Sequence, residues 1–240
     1  FKDKKEIEEN GAGEILAIEH QLTPVLRGME ERGILIDTTV LEALGEELDA
    51  LTKEIQTALS GYNINLDSPQ QVAKLLFEDL RITPVKKTKG KTRWSTDDEV
   101  LTKLQLTHPV VTLIREYRGL GKLKGTYVIG LIDAVGDDGR IHTTFRQAGA
   151  RSGRVSSADP NLQNTPSRSE LGRRVREAFI ASLGFAFVGA DYSQIELRVA
   201  AALSQDQSMI EVFRNGGDIH LVTCRIMYPE WDILDPEDRE

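Results

Sequence analysis

Two carboxylates, Asp191 and Glu196, lie five residues apart within VGADYSQIELRVAAALS, residues 188–204. Asp191 follows an apolar run at residues 185–190, and Glu196 falls on the first turn of a helix-like pattern. Hard cations such as Mg²⁺ bind carboxylate oxygens, but two-metal phosphoryl transfer needs at least two carboxylates to hold ions about 4 Å apart. The spacing alone leaves two interpretations open: Asp191 is a metal ligand, or it is an ordinary helix N-cap followed by a first-turn acid.

A polar segment, residues 149–168, has a composition suited to nucleic acid. Its sequence, GARSGRVSSADPNLQNTPSR, contains three arginines, two asparagines and one glutamine, and it lacks lysine. Arginine makes planar bidentate contacts with phosphates and base edges, and Asn and Gln can donate to minor-groove acceptors. An ordinary polar loop is the alternative. The side chains concerned are Arg154, Asn161, Gln163, Asn164 and Arg168.

Two further segments carry groups that can contact phosphates. YRGLGKLKGTY, residues 117–127, interleaves cations, aromatic residues and glycines, and Lys122 and Lys124 could bind phosphates. The same pattern also suits a helix terminus with solvated lysines. The GDIH segment, residues 217–220, supplies His220, although a single histidine is more often structural or merely exposed.

The chain is acidic overall, but its charges are unevenly distributed. The formal net charge of the 240 residues is −8. Residues 86–93, 115–124 and 140–176 have net charges of +5, +3 and +6, so the rest of the chain carries −22. This separation suits a polyanion-binding face on an acidic body, whereas any one basic run could be a solvated loop.

Composition argues against two classes of protein. The single cysteine, Cys224, rules out an internal disulfide framework and fits a reducing compartment. No apolar run approaches the roughly 20 residues of a membrane span, and the charged opening FKDKKEIEEN lacks the apolar stretch of a signal peptide. We therefore expect a soluble, cytoplasmic protein with no membrane partner.

The first sixty residues predict two long helices. Residues 14–32 have helical spacing interrupted by Pro24, which is expected to kink or restart the helix, and Gly33 is a suitable C-terminal cap. Asp37 can cap the next helix, whose leucines and isoleucines recur every three or four residues. We expect this apolar stripe to be core and Gly61 to end the helix.

Shorter helices should follow, and then strands. Capping boxes at residues 68–71 and 96–99 each predict a helix start, and Pro109 opens a helix that reaches about residue 135. Beyond that point, residues 140–147 alternate like a strand. The final prediction of this region is a hairpin whose two strands are residues 175–180 and 185–190.

Together these segments resemble family A DNA polymerases, the bacterial DNA polymerase I type. DYSQIELR, residues 191–198, is similar to the first catalytic motif of the family, and SGRVSSADPNLQNTP, residues 152–166, to the segment that grips the primer–template. RRVREAFIA and GDIH occur in the family's order. PVLRGMEERGILID and YRGLGKLKGTY resemble the start of the polymerase region and the thumb, so the resemblance covers almost the whole chain.

The resemblance implies a role for each residue of the catalytic motif. Asp191 would bridge two catalytic Mg²⁺ ions, and the backbone carbonyl of Tyr192 would bind one of them. Glu196 would be the steric gate that closes the space a ribose 2′-hydroxyl needs. Gln194 would lie by the primer terminus and the incoming nucleotide, and His220 by the phosphates of that nucleotide.

The same resemblance implies contacts with DNA. Arg168, like Gln194, would lie by the primer terminus and the incoming nucleotide, and the basic run that starts at Lys86 would be the thumb tip. Minor-groove and backbone contacts near the primer end would come from Arg154, Asn161, Gln163 and Asn164. Thumb contacts with the duplex would come from Lys122, Lys124 and Thr126.

The implied fold class is α+β, with a helical thumb, part of an antiparallel-sheet palm and the first fingers helices. We expect a lead-in and the start of the palm at residues 1–30 and the thumb at 31–136. The palm with the first catalytic motif should occupy residues 137–197, and the start of the fingers residues 198–240.

The implied function is that of part of a DNA-directed DNA polymerase, with primer–template DNA and dNTP as partners and Mg²⁺ as cofactor. The family continues with a fingers helix that binds the nucleotide and with a second catalytic aspartate, so we expect the isolated chain to be inactive. A second chain carrying those parts would then be a further partner. A non-catalytic duplex-binding module and one subunit of a split polymerase are the alternatives. A bacterial source would imply association with the nucleoid.

Overall fold

Helices make up most of the structure. This computed structural model describes residues 12–90 and 92–230, and the chain divides into two units at the Ala186–Phe187 bond. The helices of the first unit are α1 (Gly13–Arg32), α2 (Thr38–Ala58), α3 (Pro69–Lys74), α4 (Asp98–Leu104), α5 (Pro109–Leu123), α6 (Gly130–Ile132) and α7 (Glu170–Glu177). Those of the second unit are α8 (Ile195–Ser204), α9 (Gln207–Arg214) and α10 (Ile219–Met227).

Short strands in the first unit form two separate antiparallel pairs. Strand β1 (Ile34–Leu35) pairs with β2 (Arg140–Ile141), and β3 (Thr144–Arg146) pairs with β4 (Ser156–Ala158). The single strand expected over residues 140–147 is therefore two strands, because its two halves pair with different partners. The mixture of helices with small antiparallel sheets confirms the predicted α+β class.

Helix α2 supplies the main apolar stripe of the core. Asp37 caps it as the sequence predicts, with Oδ1 accepting a hydrogen bond from the backbone N–H of Thr39 at 3.0 Å. The helix packs against α5 and α7. A Cβ on Gly45 would lie 3.3 Å from Val128, so this glycine permits the close approach of the segment after α5. The buried residues of the stripe are Leu41, Leu44, Leu48 and Ile55.

The ends of α1 and α2 test the two expectations made for them. Helix α1 is continuous through Pro24, and Gly33, at φ 57°, caps it by donating its N–H to the carbonyl of Met29. Gly61 does not end α2, which stops at Ala58 before a 3₁₀ turn at Ser60–Tyr62. The left-handed residue after that turn is Asn63, at φ 48°.

The start of α4 also differs from the prediction. Its cap is Asp97, one residue after the predicted Thr96, and the Asp97 carboxylate accepts a hydrogen bond from the N–H of Val100 at 3.0 Å. Thr96 has another partner, because Nη1 of Arg118 donates to its carbonyl oxygen at 2.5 Å. A tertiary contact therefore displaced the local capping box.

The helix that opens at Pro109 changes its hydrogen-bonding pattern partway along. Helix α5 leads into a π-helical turn, Lys124–Ile129, and then into α6. His108, which received no role from sequence, caps α5, with Nδ1 accepting from the N–H of Val110 at 3.2 Å. A π turn inserts an extra residue, so it changes which side chains face each neighbour.

The predicted hairpin is wrong. Residues 175–177 belong to α7, where Val175 is fully buried, and residues 185–190 form no strand. The side chains of Phe185, Phe187 and Val188 are 78%, 61% and 92% exposed. A strand must exchange backbone hydrogen bonds with a neighbour, and no strand in the described ranges pairs with this segment.

In the part that the structure describes, the second unit is a run of three short helices, two of which have carboxylate N-caps. The Asp206 carboxylate accepts from the N–H of Met209 at 2.9 Å at the start of α9, which contacts both α8 and α10. None of the helices described in either unit combines the length and the apolar character that crossing a bilayer requires.

Candidate catalytic and nucleic-acid-binding residues

Asp191 does not cap α8, so the N-cap interpretation of this carboxylate is wrong. The N-cap position belongs to Gln194, which has a left-handed backbone at φ 53° and ψ 39°. Such a conformation is uncommon for a residue other than glycine, asparagine or aspartate, and strained backbone of this kind is often found at functional sites. Asp191 is exposed, and its carboxylate accepts no hydrogen bond from any residue within the described ranges.

Gln194 brings two sequence motifs of the second unit together. Its Oε1 accepts a hydrogen bond from the N–H of Ile219 at 3.3 Å, so the start of α8 lies against the start of α10. Asp218 caps α10 by accepting from the N–H of His220 at 2.7 Å. This backbone hydrogen bond, with help from the Leu221 N–H and the Gln194 side chain, holds the pKa of Asp218 below its ordinary value. DYSQIELR and GDIH are therefore neighbours.

Arg198, the last residue of DYSQIELR, stabilises the turn that precedes α8, a role that sequence reasoning did not assign to it. Its Nε donates to the carbonyl oxygen of Ser193 at 2.8 Å, and its guanidinium lies 4.6 Å from the ring centroid of Phe213. Glu196 lies on the first turn of α8, as its position in the sequence predicts. Tyr192 is 80% exposed. The motif contains Arg198, but its spacing does not reveal this role, because the aromatic partner is on another helix.

The acidic residues of the described ranges do not form a closed metal site. In residues 12–90 and 92–230, no group of three His, Cys, Asp or Glu side chains is placed to hold a metal ion. Mg²⁺ is commonly bound through one or two carboxylates together with waters and substrate phosphates. The exposed Asp191 carboxylate fits one ligand position of such an open site, and the exposed backbone of Tyr192 lies next to it in the chain.

In the first unit, two of the predicted DNA-binding amides fold their own loop. Oε1 of Gln163 accepts from the N–H of Ser157 at 3.1 Å, and its Nε2 donates to the carbonyl of Val155 at 3.0 Å. Oδ1 of Asn161 accepts from the N–H of Gln163 at 3.0 Å. These amide groups set the shape of the loop, a role that sequence reasoning did not assign to them.

Two buried hydroxyls anchor the same loop from inside. Oγ1 of Thr143 lies 2.6 Å from Oγ of Ser157 and donates to the carbonyl of Pro160 at 2.8 Å. Ser157 Oγ also accepts from the N–H of Leu162 at 3.0 Å. Buried hydroxyls are stabilising only when they are hydrogen-bonded, so this network fixes the turn at residues 158–162. Its residues are small and polar, and nothing in their spacing points to the network.

Three other polar side chains that the sequence singled out in this loop are exposed. Asn164 is exposed, and no residue in the described ranges bonds to its side-chain amide. Arg154 and Arg168 are also exposed, and the carbonyl of Arg168 accepts from Nη1 of Arg173 at 3.5 Å. These three side chains are accessible to a ligand.

The two predicted thumb lysines differ in their surroundings. Lys122 is exposed and makes no ion pair with any part of the chain that the structure describes. Lys124 is half-buried, and its Nζ lies 2.5 Å from Oδ1 of Asp49 on α2. Thr126 is exposed. Lys122 is therefore the freer cation of the pair.

A hydrogen bond joins the lysine segment to the polar loop. The hydroxyl of Tyr127 donates to the backbone carbonyl of Asn164 at 2.7 Å. Two surfaces of the first unit, one at Lys122–Thr126 and the other at Asn161–Asn164, are therefore joined at Tyr127.

The sequence model of DNA polymerase family A matches residues 38–240. The chain is 45% identical over 215 residues to a thermostable DNA polymerase I of Thermus filiformis, covering 88% of this chain and 26% of that protein. It is 43% identical over 224 residues to the DNA polymerase I of a Synechocystis strain, covering 92% of this chain and 23% of the relative. The chain thus spans about a quarter of the length of these curated relatives.

A solved structure gives the same result for the fold. The POL domain of Pol1 from M. smegmatis, in complex with DNA primer–template and dNTP, is similar with a TM-score of 0.81 and 40% sequence identity. The match covers 92% of this chain and 40% of that one. On both the sequence and the structural comparison, this chain belongs to DNA polymerase family A.

Proposed function

We propose that the chain is part of a DNA-directed DNA polymerase that adds dNTPs to a primer 3′-hydroxyl under the direction of a template. The observation that carries this proposal is the contact between Gln194 and Ile219, which sets DYSQIELR beside GDIH in the second unit. These motifs would then act on one substrate. The family membership and the primer–template and dNTP bound by the similar M. smegmatis structure support the same conclusion.

In this proposal the second unit binds Mg²⁺ and the incoming nucleotide. Asp191 offers an exposed carboxylate, and with the carbonyl of Tyr192 it would hold Mg²⁺, with two ions in the complete centre. Held by these groups, Mg²⁺ would neutralise phosphate charge and would make the primer hydroxyl a better nucleophile. Glu196 would exclude a ribose 2′-hydroxyl, and His220 would meet the phosphates of the nucleotide.

The first unit would hold the primer–template. Lys122 would contact phosphates, because its charge is exposed and unpaired within the described residues. The exposed side chains of Asn164, Arg154 and Arg168 would meet the primer end, the minor groove and the nucleotide. Asn161 and Gln163 would contribute through the loop shape that their amides maintain.

We also propose the division into palm, thumb and fingers that the family resemblance implies. Helix α1 supports the placement of the lead-in with the palm, since Oε1 of Glu30 accepts from the N–H of Phe145 on β3 at 2.6 Å. Gln147 reinforces the contact, with Nε2 2.6 Å from the Glu19 carboxylate. Residues 31–136, which include α2 and α5, would be the thumb.

The DNA-binding half of the proposal is tested by salt dependence. The binding constant K of the 240-residue chain for primer–template should fall as salt concentration rises. In a plot of log K against log salt, each phosphate that the chain neutralises should contribute roughly 0.9 to the steepness of the slope. Lys122→Ala should flatten the slope by about 0.9, and the double substitution with Lys124→Ala by up to about 2. Lys122→Arg keeps the charge and should leave the slope unchanged. A slope that is unaffected by Lys122→Ala would reject the thumb assignment.

The catalytic half is tested by primer extension. We propose that the 240-residue polypeptide does not extend a primer alone and does so once the segment with the family's second catalytic aspartate is supplied. Asp191→Ala should then abolish extension but preserve duplex affinity. Extension by the chain alone would refute the first expectation. Duplex binding without extension in any reconstitution would favour the alternative, a non-catalytic binding module.

A further inference from the structure

Tyr127 occupies a position that links two surfaces of the first unit. Its hydroxyl donates to the carbonyl of Asn164 at 2.7 Å, and its ring packs against the hydrophobic core. Leu162, which lies in the same loop as Asn164, packs against that core as well. The donor ring and a residue two positions before the acceptor are therefore anchored on the core, which restrains the geometry of the bond.

The π-helical turn explains how Tyr127 reaches the loop. Within this turn, Lys124 pairs with Asp49 on α2, and Val128 lies against Gly45 of the same helix. Tyr127, between them in sequence, is directed to a different neighbour. The extra residue of a π turn alters the angular spacing of side chains, and such turns are frequent at functional sites.

The loop depends on this bond for its connection to the helix. Thr143 and Ser157 fix the turn at residues 158–162 from within the small sheet. The bond to the carbonyl of Asn164 then ties the following residues to the helical segment. The exposed amide of Asn164 is attached to the peptide unit that Tyr127 holds.

We propose that Tyr127 is a positioning residue for primer–template binding. It fixes the peptide of Asn164 at a set distance from Lys122 and Thr126, so a duplex bound by the helix meets the Asn164 amide in one geometry. This inference rests on the proposed function, and it assigns to Tyr127 a role through Asn164, not a contact of its own with DNA.

The test is removal of one hydroxyl. Tyr127→Phe keeps the ring in the core and should weaken primer–template binding by the 240-residue chain about five-fold, measured by fluorescence anisotropy. Its salt slope should not change, because no phosphate contact is lost. Tyr62→Phe is the matched control, since Tyr62 lies outside both surfaces and its hydroxyl has no hydrogen-bond partner among the described residues.

A double substitution separates positioning from a direct contact. Asn164→Ala removes the side-chain amide but leaves the carbonyl that accepts from Tyr127. In that background, Tyr127→Phe should weaken binding less than two-fold. Full five-fold weakening in both backgrounds would overturn the inference, because Tyr127 would then act independently of Asn164.

Hydrogen exchange measured in the absence of DNA provides a second test of the inference. Hydrogen exchange at the N–H groups of Leu162 and Gln163, which are bonded to Ser157 and Asn161, should accelerate about five-fold in Tyr127→Phe and not in Tyr62→Phe. Unchanged exchange would overturn the inference even if DNA binding fell. If the unsubstituted chain bound no duplex, the proposed function would fail too, whereas normal binding by Tyr127→Phe would reject the positioning role alone.

Discussion

The two units of the chain bury very different amounts of apolar surface. The first unit contains a continuous core in which Leu41, Leu44, Leu48 and Ile114 are fully buried. In the described part of the second unit, Ala201 alone is buried. Its helix α8 exposes 49% of Val199 and 82% of Leu203.

This difference shows which structures need a neighbour and which do not. Helices α8, α9 and α10 form with little burial because a helix makes its backbone hydrogen bonds internally, and Asp206 and Asp218 cap the starts of α9 and α10. Residues 185–190 are also apolar, but they form no strand, because the backbone hydrogen bonds of a strand must be made with a neighbouring strand. Local sequence is sufficient for the first kind of element and insufficient for the second.

The largest expected contrast between the units comes from the same substitution in each. Leu44→Ala removes a fully buried side chain and should lower the free energy of unfolding by about 2–5 kcal/mol. Leu203→Ala removes a side chain that is 82% exposed and should change it by less than about 0.5 kcal/mol. Urea unfolding followed by circular dichroism measures both. Equal losses would show that α8 is packed as tightly as α2.

Sequence was sufficient for features that depend on neighbours in the chain. The apolar stripe of α2 and the caps at Asp37 and Ser68 follow from residue type and spacing, and the structure confirms them. The family motifs also identified the candidate site. The left-handed conformation of Gln194 and its contact with Ile219 could not be predicted from the sequence, because each depends on how the two motifs meet.

Long-range contacts account for most of the other differences. The hydrogen bond between Tyr127 and Asn164 joins residues with no shared pattern, and the role of Thr143 depends on a strand pair that forms across an irregular segment. The cap at α4 shifted because Arg118 bonds to Thr96. Each of these is decided by packing between segments, which single-residue spacing does not encode.

A smaller effect should distinguish the helix caps of the two units. Oγ of Ser169 accepts from the N–H of Gly172 at 3.1 Å at the start of α7, whose Val175 is in the core. Ser169→Ala should therefore reduce global stability by about 1 kcal/mol. Asp206→Ala should fray α9 and accelerate amide exchange at Met209, with little change in the global unfolding midpoint. A global loss from Asp206→Ala as large as that from Ser169→Ala would mean that the units unfold together.

A pH-dependent effect is expected in the first unit from His142. Its Nδ1 lies 2.7 Å from the carbonyl of Glu30 and its Nε2 3.2 Å from a carboxylate oxygen of Asp138, so both nitrogens face acceptors. The Glu30 carbonyl, and then Asp138, raise the pKa of His142 above its ordinary value of 6.5, against the opposing effects of desolvation and of the Arg140 charge. The stabilisation that protonated His142 gives the folded state is fully present below pH 6.5 and is lost as pH rises through the folded-state pKa of His142. The thermal midpoint should therefore decline as pH rises through this range. His142→Gln should remove the decline, and a decline that persists unchanged in this variant would show that another group causes it.

The second unit should respond to pH in the opposite direction, because the responsible group is an acid, Asp218, whose pKa is lowered. The N–H of His220 holds the pKa of Asp218 below 3.8, so the stabilisation of α10 is present above pH 3.8 and is lost as pH falls through the folded-state value. Asp218→Asn retains a cap acceptor and removes the charge, so it should abolish the acid-induced part of the loss of helicity. Amide chemical shifts of His220 and Leu221 report this titration directly. If the amide shifts of His220 and Leu221 titrate unchanged in Asp218→Asn, a charge other than that of Asp218 governs the start of α10. The contact between Gln194 and Ile219 would then have to be sufficient to hold the two motifs together.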